Sequence, residues 1–181
     1  MLPDSSYPNH IFAIFGYGCH LNNELSMYLD NNVAFANREK PDCLVFCGGF
    51  TQRKSAPGVS EAKLMFDYVV PRLSYVPHDT LIEQDSYTTQ DNAEKLVSKL
   101  GLLLCSARTK LTVACEATRT LKVDLAVRSF LRRRPYLLTT SWELMSPQKQ
   151  IISTLYDWVA IKFPPLALYF RNKRIRRAEQ I

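Results

Sequence analysis

Residues able to do chemistry stand where the apolar runs of this sequence stop. Gly16 and Gly18 follow the run at 11–15, and Gly48 and Gly49 follow the run at 43–47. Glu83 closes a shorter run at 80–83, and Ser86, Thr89 and Asn92 follow it at intervals of three. Arg119 comes shortly after the run at 111–115, and Ser60-Glu61 opens an amphipathic stretch. Paired glycines permit close backbone approach and leave amides to cradle an anion. Carboxylates at 61 and 83 can accept ribose hydroxyls or act as bases. A guanidinium at 119 supplies a counter-charge for phosphate or carboxylate.

Each piece also has a plainer use. Gly48-Gly49 is a serviceable tight turn. Ser60 is a good helix N-cap, and an acid in the first turn suits the helix dipole. Thr88 with Asp91 reads as a capping pair. Asn92 is either solvated or a ligand contact. Arg119 answers either to an anion or to a salt bridge with Glu61 or Glu83. His20 is near enough to be an acid–base group but also reads as a solvated loop residue, and His10 and His78 read as loop residues. Gly16-x-Gly18 lacks the third glycine of a dinucleotide fingerprint, so a standard NAD site is not expected. There is no nucleophile elbow for Ser/His/Asp catalysis. Cys43 and Cys47 lack the partners of a zinc pattern, so no metal is expected.

The elements that position these residues alternate. Runs 11–15, 43–47, 80–83, 111–115 and 136–139 read as strands, most of them apolar throughout and so buried on both faces. Between them lie helices at about 21–39, 60–73, 88–100 and 118–132, with a last long helix at about 147–162. Their buried stripes fall on Leu25, Leu29, Val33 and Ala36; Ala62, Phe66, Val69 and Leu73; Ala93, Leu96, Val97 and Leu100; and Leu121, Leu125 and Phe130. Pro164-Pro165 reads as a break before a short second segment. Strand–helix alternation makes parallel strands with helical crossovers. The expected fold is α/β: a three-layer α/β/α sandwich with a mainly parallel sheet of about five strands, Rossmann-like in the broad sense. Such a sheet gathers every strand end on one edge, where ligands bind.

Composition narrows the possibilities. A length of 181 residues suits one domain, with a core at about 11–163. The formal net charge of +6 is concentrated in residues 171–181, where Arg171, Lys173, Arg174, Arg176 and Arg177 face only Glu179. The body is close to neutral, which argues against a nucleic-acid-binding face. That tail reads as a solvated, frayed end or as a weak contact for anionic membrane. Five cysteines (Cys19, Cys43, Cys47, Cys105 and Cys115) are an odd number, mostly in apolar runs, as expected of free thiols in a reducing, cytoplasmic setting. Neither a signal peptide nor a spanning segment is read from the sequence.

The ordered set resembles the YdcF/SanA/ElyC-like family over about residues 11–140. The matching residues are Gly16 and Gly18, Gly48-Gly49, Ser60-Glu61-Ala62, Glu83, Ser86, Thr89, Asn92-Ala93 and Arg119. The resemblance implies a Rossmann-like domain with a ligand site at the strand C-terminal edge. It also implies S-adenosylmethionine as a candidate cofactor, since some members are reported to bind it; others are membrane-anchored. Two positions depart from the family pattern. Asn31 or Asn32 stands where an Arg is usual, and Glu116 stands where a His is usual, which points to an altered ligand or a degenerate site.

Three functions follow as expectations. The first is a small-molecule-binding protein, or an enzyme, for a nucleotide-like or phosphorylated ligand. The second is a peripheral interaction protein that uses the basic tail on anionic membrane or nucleic acid. The third is a methyltransferase, which ranks last because no acceptor-site motif is visible.

Overall fold

The computed structural model describes residues 8–104, 108–131, 134–141 and 147–180. Within them the chain runs β1 (His10–Phe15), α1 (Asn23–Glu39), β2 (Cys43–Cys47), α2 (Glu61–Val69), β3 (Asp79–Glu83), α3 (Thr89–Leu100), β4 (Lys110–Glu116), α4 (Thr120–Leu131), β5 (Tyr136–Thr140), α5 (Pro147–Lys162) and α6 (Pro164–Ala178). Cys105 and Arg132 lie outside the described residues.

The five strands form one parallel sheet in the order β3-β2-β1-β4-β5. The two central neighbours, β1 and β2, are buried along their whole length, as their unbroken apolar sequence requires. The edge strands β3 and β5 are only partly covered. Both faces carry helices. Phe12, Ile14, Leu44 and Phe46 pack with Leu25 and Leu29 of α1 and with Ala62 and Met65 of α2. On the opposite face Ile11, Ala13, Val45 and Val113 pack with Ala93 and Leu96 of α3 and with Val123 and Val127 of α4. This is the three-layer α/β/α sandwich read from the sequence. The chain steps outward through β2 and β3, then returns to lay β4 on the other side of β1. The order therefore reverses between β1 and β4, and such a switch point opens a crevice at the strand ends.

Several boundaries moved, each for a local reason. The second helix stops at Val69 and tightens into a 3₁₀ turn at Val70–Arg72, because Pro71 has no amide to donate. A 3₁₀ turn at Ala117–Arg119 delays α4 to Thr120. Leu121 faces solvent, and α4 buries Val123, Ala126 and Val127 instead. His10 is the first residue of β1, buried, with Nε2 at 2.9 Å from Thr112 Oγ1.

The largest departure is at the C-terminus. Pro164-Pro165 opens a fifteen-residue helix, α6, where a short segment and a frayed tail are expected. Proline is tolerated in the first helical turn, so the pair is a helix start. Arg53 N donates to Ala178 O at 2.9 Å, and the Arg53 guanidinium lies 3.8 Å from the Glu179 carboxylate. Arg171 lies 3.6 Å from Asp91. These contacts bring α6 back over the strand C-terminal edge. No described helix is long and apolar enough to cross a membrane.

Candidate functional site

A cavity of about 840 Å³ opens at the switch point. Its floor is the β1–α1 turn (Gly16, Tyr17 and Gly18) with Glu61. One wall is the segment from Ser86 to Thr89 together with Asn92 of α3, and another is Thr118, Arg119 and Lys122. Its roof is α5 and α6, which contribute Ile152, Tyr156, Phe170, Lys173, Arg174 and Arg177. The volume is that of a nucleotide-sized ligand site.

Glu61 organises the floor. Ser60 caps α2 by accepting from Lys63 N at 3.0 Å, which sets Glu61 in the first turn. Glu61 Oε1 accepts from Gly18 N at 2.8 Å and from Thr51 Oγ1 at 2.6 Å. Gly18 holds φ at +108°, a left-handed conformation that favours glycine. A Cβ on Gly16 would stand 2.3 Å from Glu61 Oε2, so this carboxylate needs glycine beside it. Burial pushes the Glu61 carboxyl up from its ordinary value, while the Thr51 and Gly18 hydrogen bonds and the charges of Arg119 and Arg174 pull it back.

The linkage sign is definite. Between the ordinary 4.5 and the raised value, the folded state keeps a proton that the unfolded state has lost. Stability from this group is complete below 4.5 and is lost as pH rises through the folded value. Glu61→Gln removes that loss. Its melting temperature is expected to match the wild type at pH 4 and to exceed it at pH values above the folded value, by a margin that then stays constant toward pH 8. Equal melting temperatures across that range, measured by calorimetry, would refute a raised Glu61.

Arg119 has neither of its sequence-expected salt bridges. Nη1 donates to Gly16 O at 3.0 Å and Nη2 to Thr89 Oγ1 at 2.8 Å, tying the floor to the start of α3. Its guanidinium carbon lies 5.4 Å from the centre of the Tyr17 ring. Thr88 caps α3 by accepting from Asp91 N at 3.0 Å, the capping pair expected, and Asp91 Oδ2 accepts from Tyr87 N, one residue before the cap, at 3.0 Å. The N-terminus of α3 therefore meets the cavity, where its dipole favours negative charge. Asn92 is 4% exposed, and its Oδ1 is buried with no hydrogen-bond partner among the described residues.

Gly16, Gly18, Glu61, Ser86, Thr89, Asn92 and Arg119 thus converge on one cavity, whereas Gly48, Gly49, Ser60 and Glu83 lie outside its lining. The amides of Gly48 and Gly49 are not free for an anion: they donate to Glu83 O and Ser86 O, each at 2.9 Å. Their smallness serves the protein itself, since a Cβ on Gly49 would stand 2.2 Å from Ser86 O. Glu83 is fully buried. Its Oε1 accepts from Asp85 N at 2.7 Å and its Oε2 from the Ser86 hydroxyl, so it braces the wall segment from beneath. His20 is exposed and away from the cavity lining. Asn31 donates to Thr140 Oγ1 at 3.3 Å, outside the cavity lining, and Asn32 is fully buried; Glu116 Oε2 accepts from Thr118 N at 2.7 Å, and Thr118 lines the cavity. Among the described residues no cluster of His, Cys, Asp and Glu is suited to a metal ion.

The roof was missed in the sequence. Phe170, Lys173, Arg174 and Arg177 stand at helical spacing on one face of α6, and that periodicity is the signal that reveals them. A basic C-terminal turn also suits the helix dipole, which hid a second use.

No family model, curated protein or solved structure matches this chain. The family resemblance rests on the quoted residues alone.

Proposed function

We propose that the protein binds a phosphorylated, nucleotide-like small molecule in the cavity between β1 and β4. The observation that carries this reading is charge. Among the described residues, Arg119, Lys122, Lys173, Arg174 and Arg177 line one cavity, against one acid, Glu61, whose ionisation burial disfavours. Aromatic rings of Tyr17, Tyr87, Tyr156 and Phe170 supply planar surface for a base. S-adenosylmethionine fits this lining poorly. Its sulfonium is positive, and Glu83, the other acid read as a site residue, is fully buried with both oxygens engaged. The four described cysteines are free and buried, as suits a reducing compartment, so the ligand is sought among cytoplasmic metabolites.

Calorimetric titration of the full chain tests this. Adenosine monophosphate is expected to bind, adenosine and S-adenosylmethionine to bind far more weakly, and affinity to fall with added salt. Arg119→Gln is expected to weaken the nucleotide about tenfold or more, the scale of a lost charge-assisted hydrogen bond. Tighter binding of S-adenosylmethionine than of any phosphorylated compound overturns the proposal.

A second reading is favoured by one surface. Trp158, Phe163, Leu168 and Tyr169 are exposed on α5, α6 and the turn between them, and the same two helices carry exposed Lys162 and Arg176. Apolar and basic residues together suit an anionic bilayer surface. Sedimentation with phosphatidylserine vesicles, lost in Leu168→Ser/Tyr169→Ser, supports this reading; no sedimentation of the wild type removes it.

A further inference from the structure

We infer that Asn92 is the residue by which the cavity selects its ligand, pairing with a sugar hydroxyl, so that the ligand class is a ribose-bearing compound. The assignment rests on the cavity being a ligand site, as proposed above, and takes nothing from the charges around it.

Asn92 is held in place by its helix. Thr88 caps α3 by accepting from Asp91 N at 3.0 Å, and Thr89 accepts from Arg119 Nη2 at 2.8 Å. The following residues Ala93 and Leu96 are fully buried against the sheet. Fixed at its start and along its inner stripe, α3 keeps Asn92 in the cavity lining, only 4% exposed.

Hydroxyls elsewhere in the lining serve the protein itself. Ser86 donates to Glu83, Thr51 to Glu61 and Thr118 to Glu116, while Thr88 and Thr89 accept from Asp91 N and Arg119. Asn92 differs from them, because its Oδ1 is buried and has no hydrogen-bond partner among the described residues. A buried polar atom without a partner costs stability that an apolar side chain of similar volume would not. An asparagine that costs the free protein stability while facing a cavity is accounted for by a partner that arrives with the ligand.

The amide defines the chemistry of that partner. Asparagine presents an acceptor and a donor side by side. A hydroxyl both donates and accepts, so it satisfies whichever end of the amide is turned inward. Two adjacent hydroxyls satisfy both ends together. A base amine only donates, and an ionised phosphate oxygen only accepts. The ribose diol is therefore the part of a nucleotide that fits Asn92, which leaves the rings of Tyr17, Tyr156 and Phe170 for the base.

Calorimetric titration of the full chain with adenosine monophosphate and with its dideoxy analogue, which lacks both ribose hydroxyls, tests this. Wild type is expected to bind adenosine monophosphate at least about tenfold tighter, because a site built to hydrogen-bond a hydroxyl rejects the analogue without it. Asn92→Leu is expected to close that gap by weakening adenosine monophosphate alone. It is expected to do so at no cost in melting temperature, since the unpartnered oxygen is gone. Asn92→Ala is expected to close the gap as well, and it decides the matter if the leucine variant fails to fold. Equal affinity of wild type for the two compounds overturns the inference and leaves the phosphorylated-ligand reading standing. A gap that persists in either variant overturns the role of Asn92. Absence of binding by both compounds overturns the inference together with the proposed function.

Discussion

Gly49→Ala is expected to lower the melting temperature by about 6–12 °C, corresponding to about 3 kcal/mol for a chain of this size. The reason is space. A Cβ at position 49 would lie 2.2 Å from Ser86 O and 2.8 Å from Gln84 O. Both obstacles are backbone carbonyls, which cannot rotate away as a side chain does. Gly49 N also donates to Ser86 O, and Gly49 O accepts from Glu61 N at 3.0 Å, so the residue cannot retreat without loosening α2. Gly58→Ala is the control. Gly58 holds φ at +75° with nothing within 4 Å of the added carbon, so only left-handed strain opposes the change, about 1 kcal/mol. Thermal unfolding of the two variants compares the terms directly. A Gly49→Ala loss no larger than that of Gly58→Ala would mean the wall segment yields to the methyl group, and Gly49 would not be its anchor.

The same residue shows how far the sequence could be read. The strand ends were legible because parallel strands, buried on both faces, appear as unbroken apolar runs; residues 43–47 are β2 to the residue. The glycines, Glu61 and Arg119 were legible as an edge because that sheet gathers strand ends. Their individual roles were not. Whether a glycine faces a ligand or another loop depends on what the crossing chain places opposite it, here the carbonyls of Gln84 and Ser86. That distance belongs to the tertiary structure and leaves no mark on local sequence. The roof was illegible for a different reason. Pro164-Pro165 signals either a stop or a start, and only the apolar spacing of Ala167, Phe170 and Ile175 with Ala178 resolves it in favour of a helix. Once α6 is a helix, a basic tail becomes the lid of a cavity.

Glu83→Ala is expected to cost about 3 kcal/mol and to weaken ligand binding together with stability. The truncation strands the Ser86 hydroxyl, which the carboxylate receives in a buried setting, and Asp85 N, which it receives in a partly buried one. The segment they hold leads to Tyr87, Thr88 and Thr89 on the cavity wall, and Thr89 receives Arg119. Loss of the brace therefore reaches the site through position, without any contact between Glu83 and the cavity. Glu83→Gln separates this role from the one first read from the sequence. Glutamine keeps an oxygen for Asp85 N and offers an amide to the Ser86 oxygen, so it is expected to retain most of the stability and nearly all of the nucleotide affinity. If residue 83 accepted ribose hydroxyls or took a proton, Glu83→Gln would instead remove binding or turnover while the fold stayed intact. Calorimetric titration beside a melting curve distinguishes the two. Parallel losses in Glu83→Ala with near-recovery in Glu83→Gln identify a brace, and an intact fold that no longer binds identifies a ligand contact.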